Sequence, residues 1–245
     1  MKFPRILTQA YEAALEVAFP SQCVGCGGAV EESEYAGICR GCSPSLQLIA
    51  DPKCLTCGFP FFGETESREH CMHCEHLLAE FRQGSSMALF RGPLRELLYA
   101  LKYRNGLWAL RDIRRLADRV VGLPGYVKDA VLVPVPLHPR KLRERGYNQS
   151  ELIVAELVSL FPSCASGDVL ERSLDTVSQT QFDRRQRIRN LKNAFSLRQN
   201  RAIDPAQRYI IVDDVFTTGS TVNACAATLR RAGARAIDVL TVGHG

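Results

Sequence analysis

Eight of the ten cysteines lie within the first 74 residues and form four CxxC pairs. A CxxC turn places two sulfurs on one side of a tight knuckle, and two knuckles complete a tetrahedral four-cysteine zinc site. The polar segments between the pairs hold too few apolar residues for a core, so metal binding must drive their folding. We therefore predict tandem zinc ribbons with two structural zinc ions. The predicted ligands are Cys23, Cys26, Cys39, Cys42, Cys54, Cys57, Cys71 and Cys74.

The spacing leaves the assignment of the four CxxC pairs to two zinc sites open. Sequential pairing, first with second and third with fourth, is favoured over an interleaved arrangement because it closes the shorter loops. His70, His73 and His76 surround the last pair and offer alternative ligands, but eight cysteines already suffice for two sites. The two remaining cysteines, Cys164 and Cys225, are interpreted as small buried apolar residues.

Residues 209–221 combine an apolar run, two acids and a hydroxyl-rich loop. Asp213 and Asp214 end the apolar run, and a Thr-Thr-Gly-Ser-Thr loop then opens a predicted helix. Backbone N–H groups at a helix N-terminus bind phosphate, and hydroxyl groups add further donors. A plain capped helix start explains the loop but not the acids, whereas a ribose 5-phosphate explains both. The predicted phosphate ligands are Thr217, Thr218, Gly219, Ser220 and Thr221.

Two basic stretches complete the set of candidate binding residues. The first follows the apolar run at 131–135 and is predicted to be a polar, basic loop, whose planar guanidinium groups suit an anionic ligand. An exposed basic turn is the alternative. The cations of this first stretch are Arg140, Lys141, Arg143 and Arg145. The second stretch spans residues 172–195, where a solvated helix is the alternative to a ligand-binding loop. Its polar residues include Thr176, Gln179, Arg184, Arg187 and Asn190.

The elements that must position these residues follow an alternating order from about residue 85. Apolar runs of strand length alternate with stripes of helical spacing, such as the leucines that follow Pro93. This order predicts an α/β fold in which a mostly parallel sheet is flanked by helices, with ligands at the carboxyl ends of the strands. Strands are expected at residues 131–135, 209–212 and 237–242, and helices near 150 and at 220–233.

Charge divides the chain into the same two parts as composition. Residues 1–80 carry 5 Lys and Arg against 11 Asp and Glu, whereas residues 81–245 carry 26 against 15. We therefore predict an N-terminal helix and double zinc-ribbon module over 1–80 and a basic α/β domain over 81–245. The excess of cations suits a polyphosphate ligand or a nucleic acid, and a solvated surface is the alternative. Glu12 and Glu16 interrupt any leader-like apolar run, and no stretch reaches membrane-span length, so we expect a cytoplasmic protein.

The run of two acids followed by TTGST resembles the phosphoribosyl pyrophosphate (PRPP) signature of type I phosphoribosyltransferases. That resemblance implies the type I phosphoribosyltransferase fold and the binding of magnesium-bound PRPP. It implies that Asp213 and Asp214 stabilise positive charge that develops on the ribose. It also implies that the 140–145 segment holds pyrophosphate. The stretch at 172–195, with Arg184 and Arg187 as catalytic residues, would close over the ligand.

Several motifs in order resemble the ComF family, including its GntX-type members. They are the CxxC pairs, LKY at 101–103, PVPLHPRKLRERGYNQ, TVSQTQFDRRQRIRNLKNAF and VDDVFTTGST. The resemblance implies a role in natural competence and in handling imported single-stranded DNA, with competence-machinery proteins at the inner membrane face as partners. It names no acceptor base. Lys102 lies where salvage enzymes recognise a base, and a packing or surface role is the alternative.

Three kinds of function remain open at this point. The chain is a phosphoribosyltransferase with an unidentified acceptor, a PRPP-responsive DNA-handling factor or a PRPP-binding regulator without catalysis. Pyrophosphate release separates the first from the other two, and binding of single-stranded DNA separates the second from the third.

Overall fold

A five-stranded parallel sheet forms the centre of the molecule in a computed structural model that describes residues 21–62, 71–172 and 194–245. The strand order is β1-β7-β6-β2-β3, and every neighbouring pair is parallel. A separate antiparallel pair joins β4 to β5. The strands are β1 Gly84–Leu89, β2 Ala130–Pro134, β3 Ala165–Ser166, β4 Leu170–Arg172, β5 Phe195–Leu197, β6 Arg208–Phe216 and β7 Ala236–His244.

Six α-helices in the described residues connect and flank the strands. Apolar stripes at helical spacing bury one face of each longer helix, as predicted for the leucines that follow Pro93. The predicted α/β class, a mostly parallel sheet flanked by helices, is thus confirmed. Cys164 and Cys225 are both buried, as expected. The helices are α1 Gly92–Tyr103, α2 Ala109–Arg119, α3 Leu123–Val127, α4 Pro139–Arg145, α5 Gln149–Leu160 and α6 Ser220–Arg231.

Strand β6 lies inside the sheet, paired with β2 on one side and β7 on the other. Its apolar residues 209–212 are buried, as a strand covered on both faces requires. The strand is longer than predicted and continues through the two acids to Phe216. The acidic pair therefore lies on the last part of an interior strand, at the sheet edge where parallel α/β folds bind ligands.

The described residues of the cysteine-rich segment have little regular structure of their own and pack against the sheet. Single β-bridges join Gln22 to Ala29 and Lys53 to Pro60 within it, and another joins Leu48 to Ala88 of β1. Three of its cysteines lie in the same apolar cluster as residues of β6 and β7. The division of the chain at residue 80 stays a prediction.

The basic segment after β2, predicted as a loop, is instead the seven-residue helix α4. Pro139 occupies the first turn, where its missing N–H is not needed, and the His138 ring accepts a hydrogen bond from the Arg140 N–H. Gly146 ends the helix in the left-handed region, with φ of 84°. Within the described part of the chain, no helix is both long enough and apolar enough to cross a membrane.

Candidate metal centres and anion site

The first cysteine cluster consists of Cys23, Cys26, Cys39 and Cys42, whose four sulfurs all lie within 4.8 Å of one another. The Sγ atoms of Cys26 and Cys39 are 3.7 Å apart. Four sulfurs about 2.3 Å from a tetrahedral zinc ion would be about 3.8 Å apart. The cluster therefore has both the donors and the spacing of a structural zinc site.

The second cluster consists of Cys54, Cys57, Cys71 and Cys74, again within 4.8 Å of one another, and is more deeply buried. Sulfur separations of 3.6 Å between Cys54 and Cys74 and 3.4 Å between Cys57 and Cys71 fit the same tetrahedron. The sequential pairing of the CxxC motifs is thus confirmed. The chain has two closed sites for structural zinc, each with four thiolates and no position left for a substrate.

The alternative histidine ligands are not used by either cluster within the described residues. The His73 ring stacks against Phe59 with the ring centroids 3.8 Å apart. His76 is exposed, and its Nε2 lies 3.2 Å from Oε1 of Glu75. His70 lies outside the described residues.

The acidic pair at the end of β6 is held by side chains from two helices. Asp214 is buried, and its Oδ2 lies 2.5 Å from Nζ of Lys102 on α1. Oδ1 of Asp213 accepts hydrogen bonds from the Ser150 hydroxyl on α5, at 3.1 Å, and from the N–H of Asp214, at 3.0 Å. Two carboxylates and one ammonium group are therefore brought together at the carboxyl edge of the sheet.

Burial sets the electrostatics of this site. It raises the pKa of Asp213 to about 6, although Lys102, the Ser150 hydrogen bond and Arg172 each act to lower it. Burial also lowers the pKa of Lys102, and Arg145 and Lys141 lower it further, while Asp213 opposes the shift. The site thus holds charged groups that are only partly exposed to water.

The N-terminus of α5 fixes the Ser150 hydroxyl beside Asp213. The Asn148 side chain accepts from the Ser150 N–H at 3.0 Å and caps the helix. Its amide donates to the Val135 carbonyl, also at 3.0 Å, and so ties α5 to the end of β2. Next to it, the Tyr147 hydroxyl donates to the Leu101 carbonyl of α1.

The Thr-Thr-Gly-Ser-Thr loop runs from the end of β6 into the twelve-residue helix α6. Gly219 caps that helix with φ of 70°, and a Cβ there would lie 2.6 Å from Cζ of Phe216. Only glycine fits this close turn. The Thr218 and Ser220 hydroxyls lie 2.9 Å apart in front of the helix N-terminus. The loop therefore offers hydroxyl groups and a positive helix end to an anion.

The four cations of α4 have different surroundings. Lys141 and Arg145 line a cavity of about 340 Å³ together with Lys102. Arg140 instead pairs with Glu144, with the Nε and Oε1 atoms 2.9 Å apart, and Arg143 is exposed. The predicted catalytic residues Arg184 and Arg187, with the rest of residues 173–193, lie outside the described residues.

Sequence reasoning missed three residues of this site. Lys102 was left undecided between base recognition and a surface role, and Asn148 and Ser150 were assigned no part in it. A helix-capping signal was readable in Asn148, which precedes the predicted helix. The contact of Lys102 with Asp214 joins distant parts of the chain, so no local pattern indicates it.

Comparison with known proteins matches most of the chain to curated relatives. The chain is 30% identical to "Competence protein F" of Haemophilus influenzae over 228 residues, which cover 90% of this chain and 96% of that protein. It belongs to the competence protein F (ComF) family. Identity to "DNA utilization protein YhgH" of Escherichia coli K12 is 34%, over 83% of this chain and 88% of that protein. "Competence protein ComFC" of Bacillus subtilis is 23% identical over 80% of this chain and 79% of that protein.

Two further comparisons concern parts of this ComF-family chain. Residues 14–75 match the family model described as a double zinc ribbon domain, in agreement with the two four-cysteine clusters. Among solved structures, a hypoxanthine phosphoribosyltransferase from Staphylococcus aureus aligns with 54% of this chain and 62% of that chain. Its TM-score is 0.33 at 12% identity, a level that carries no argument about function.

Proposed function

We propose that this chain binds PRPP and acts in the cytoplasm in handling imported single-stranded DNA during natural competence. The acidic pair of β6, placed between Lys102 and the TTGST loop, is the observation that carries the PRPP assignment. The names of the relatives, competence and DNA utilization proteins, support the biological role. Competence-machinery proteins at the inner membrane face are the proposed partners.

The ribose of PRPP is assigned to the acidic pair. Ionised carboxylates only accept hydrogen bonds, so they suit the two sugar hydroxyls, which donate. Carboxylates beside the ring also stabilise positive charge that develops when the anomeric bond to pyrophosphate weakens. The 5-phosphate is assigned to the loop of residues 217–221, where backbone N–H groups of α6 face outward from the helix.

The pyrophosphate is assigned to the cavity of about 340 Å³ that Lys102, Lys141 and Arg145 line. Three cations and one carboxylate, Glu144, line this cavity, and the excess of positive charge suits a diphosphate, which magnesium is expected to accompany. Arg140 and Arg143 stay predicted ligands with weaker support, since one is paired with Glu144 and the other is exposed. Arg184 and Arg187 remain predictions from the sequence.

A transferase that moves the phosphoribosyl group to an unidentified acceptor is the second candidate, and a PRPP-binding regulator without turnover is the third. The same site supports all three, because it binds the donor and says nothing about the acceptor. Release of pyrophosphate in the presence of candidate bases would establish the transferase. Its absence, with PRPP binding intact, leaves the DNA-handling factor and the regulator, which binding of single-stranded DNA separates.

Thermal unfolding and calorimetry with PRPP and magnesium test the donor site. A ligand that binds only the folded state at about 100 times its Kd adds about 2.7 kcal/mol to the free energy of unfolding. We expect such stabilisation for the intact chain and none for the double variant Asp213→Asn, Asp214→Asn. The exposed carboxylate variant Asp118→Asn is the matched control and should respond like the intact chain. Full PRPP affinity in the double variant would show that the acids do not hold the ribose.

A further inference from the structure

Two tyrosines on α1 present their rings to solvent beside the proposed PRPP site. Tyr99 is 46% exposed and Tyr103 is 65% exposed. Their positions, four residues apart, place them on one helix face, and their ring centroids are 4.8 Å apart with an angle of 44° between the planes. We call Tyr99 and Tyr103 the tyrosine pair. Exposed aromatic surfaces that lie next to each other mark a candidate interaction surface.

Guanidinium groups from two different elements accompany the tyrosine pair. The Arg104 guanidinium, just after α1, lies 5.3 Å from the Tyr99 ring centroid, and that of Arg145 on α4 lies 5.7 Å from the Tyr103 centroid. Both distances fall within the range of cation–π contacts. Among the ion pairs of the described residues, neither Arg104 nor Arg145 has a carboxylate partner. Their positive charges are therefore available to an anionic ligand.

A cavity of about 570 Å³ opens beside the tyrosine pair. Its lining includes both rings together with Arg95, Arg104 and Lys102. Lys102 also lines the smaller cavity assigned to pyrophosphate and contacts Asp214. A ligand on the tyrosine pair would therefore lie next to the proposed PRPP site.

We propose that the tyrosine pair stacks the bases of single-stranded DNA while the neighbouring arginines contact its phosphates. Every base has a flat face that stacks on an aromatic ring, and cationic residues that follow the backbone supply charge complementarity. A duplex hides those faces inside its base stack, so the surface selects single strands. This inference rests on the proposed DNA-handling function and assigns it a location.

Binding of full-length, zinc-loaded protein to two oligonucleotides of about 12 nucleotides tests the proposal. One is oligothymidylate, and the other is an abasic strand with the same number of phosphates. The intact chain should prefer the strand that carries bases. Changing both residues of the tyrosine pair to Ala should weaken binding to oligothymidylate at least about fivefold and leave binding to the abasic strand unchanged. Changing both to Phe, which keeps the rings, should preserve the preference.

The outcomes separate this proposal from the function on which it rests. If the intact chain binds neither strand, the DNA-handling function and the tyrosine pair's role are both overturned. If the intact chain prefers oligothymidylate and the Ala variant shows the same preference, the tyrosine pair alone is overturned. Free thymidine serves as a third probe: if the Ala variant loses affinity for thymidine but keeps its affinity for oligothymidylate, the rings serve an acceptor base and the proposal is wrong. Equal melting temperature and zinc content in all variants show that the exposed substitutions leave the fold intact.

Discussion

Asp213 is a partly buried carboxylate without a full counter-charge of its own. Burial raises its pKa to about 6 from an ordinary value near 3.8, even though Lys102 and Ser150 lower it. Between about pH 4 and pH 6 the folded chain therefore holds a proton that the unfolded chain has released. Stability falls as the pH rises through this window and stays reduced above it. Binding a ligand whose hydroxyl groups donate to the carboxylate would offset that cost.

Replacing the charge with a neutral amide should therefore stabilise the ligand-free protein at neutral pH. We expect the free energy of unfolding of Asp213→Asn, relative to the intact chain, to increase by about 1–3 kcal/mol between pH 4 and pH 7. Urea unfolding across that range measures it. The exposed Asp118→Asn variant should show no such increase. If the difference in free energy of unfolding between Asp213→Asn and the intact chain does not change with pH, Asp213 ionises as it does in water.

For single residues, the sequence predicts the acids and the anion loop but not the side chains that contact the acids. Asp213, Asp214 and Gly219 stand in one short motif, so their order along the chain already indicates their chemistry. Lys102 and Ser150 reach the same point only because α1 and α5 pack at the carboxyl edge of the sheet. Such contacts depend on tertiary packing, which no local spacing encodes.

The two zinc ribbons support different elements. The second ribbon contacts the anion loop, since a Cβ on Gly219 would lie 3.0 Å from Cδ2 of Leu77. Asn223, in the first turn of α6, accepts from the Glu80 N–H at 2.7 Å and donates to the Leu78 carbonyl at 2.9 Å. The first ribbon is instead fastened to α2, where buried Asp112 accepts from the backbone N–H groups at residues 36 and 37.

Loosening the second ribbon should therefore weaken PRPP binding, whereas loosening the first should not. Asn223→Ala removes its two hydrogen bonds from α6 to the second ribbon, and Asp112→Ala removes its two hydrogen bonds from α2 to the first ribbon. Each should lower the free energy of unfolding by about 1–3 kcal/mol. Only Asn223→Ala should also reduce PRPP affinity, by roughly fivefold if about 1 kcal/mol of loop positioning is lost.

Paired thermal unfolding and calorimetry of the two variants measure both quantities. A comparable fall in PRPP affinity for Asp112→Ala would show that general loss of stability, not loop position, causes the effect. Zinc content should stay at two ions per chain in both variants, because neither residue is a ligand. One zinc ion or none in the intact reduced protein would contradict the double-ribbon assignment.

Elements with strong periodicity were predictable, and those whose conformation depends on short-range capping were not. The leucine stripe of α1 and the buried run of β6 appear in the structure as expected. The segment Pro139–Arg145 was predicted as a loop because its charged residues show no apolar period. Its helix depends on the His138 cap, the Arg140–Glu144 pair and the turn at Gly146. Capping of this kind contributes only a few kcal/mol, which composition does not reveal.

Charge is the property that organises the molecule as a whole. An acidic zinc-ribbon part, with 5 Lys and Arg against 11 Asp and Glu over residues 1–80, adjoins a basic α/β part with 26 against 15. On α4, Lys141 and Arg145 line one cavity with Lys102, which contacts Asp214, and Arg145 also lies over the Tyr103 ring. Phosphates of PRPP and phosphates of a DNA strand would therefore compete for the same charges.

Single-stranded DNA should accordingly bind weakly, with little sequence preference and with steep salt dependence. Each phosphate neutralised on a single strand contributes about −0.7 to the slope of log affinity against log salt concentration. Changing Lys141 and Arg145 to Ala should make that slope shallower by about 1.4. A second variant, in which Arg184, Arg185, Arg187 and Arg189 are changed to Ala, tests the predicted second basic stretch by the same measurement. Fluorescence anisotropy at about 50 and 200 mM salt measures the slope.

The variant lacking the tyrosine pair provides the contrast for this measurement. Stacking releases no counterions, so its loss should lower affinity at every salt concentration and leave the slope unchanged. PRPP should displace DNA from the intact chain, because both ligands need the α4 cations. Simultaneous binding of PRPP and DNA, or DNA binding carried entirely by residues 1–80, would contradict the shared-site proposal. In that case the acidic pair would serve a small-molecule reaction apart from DNA.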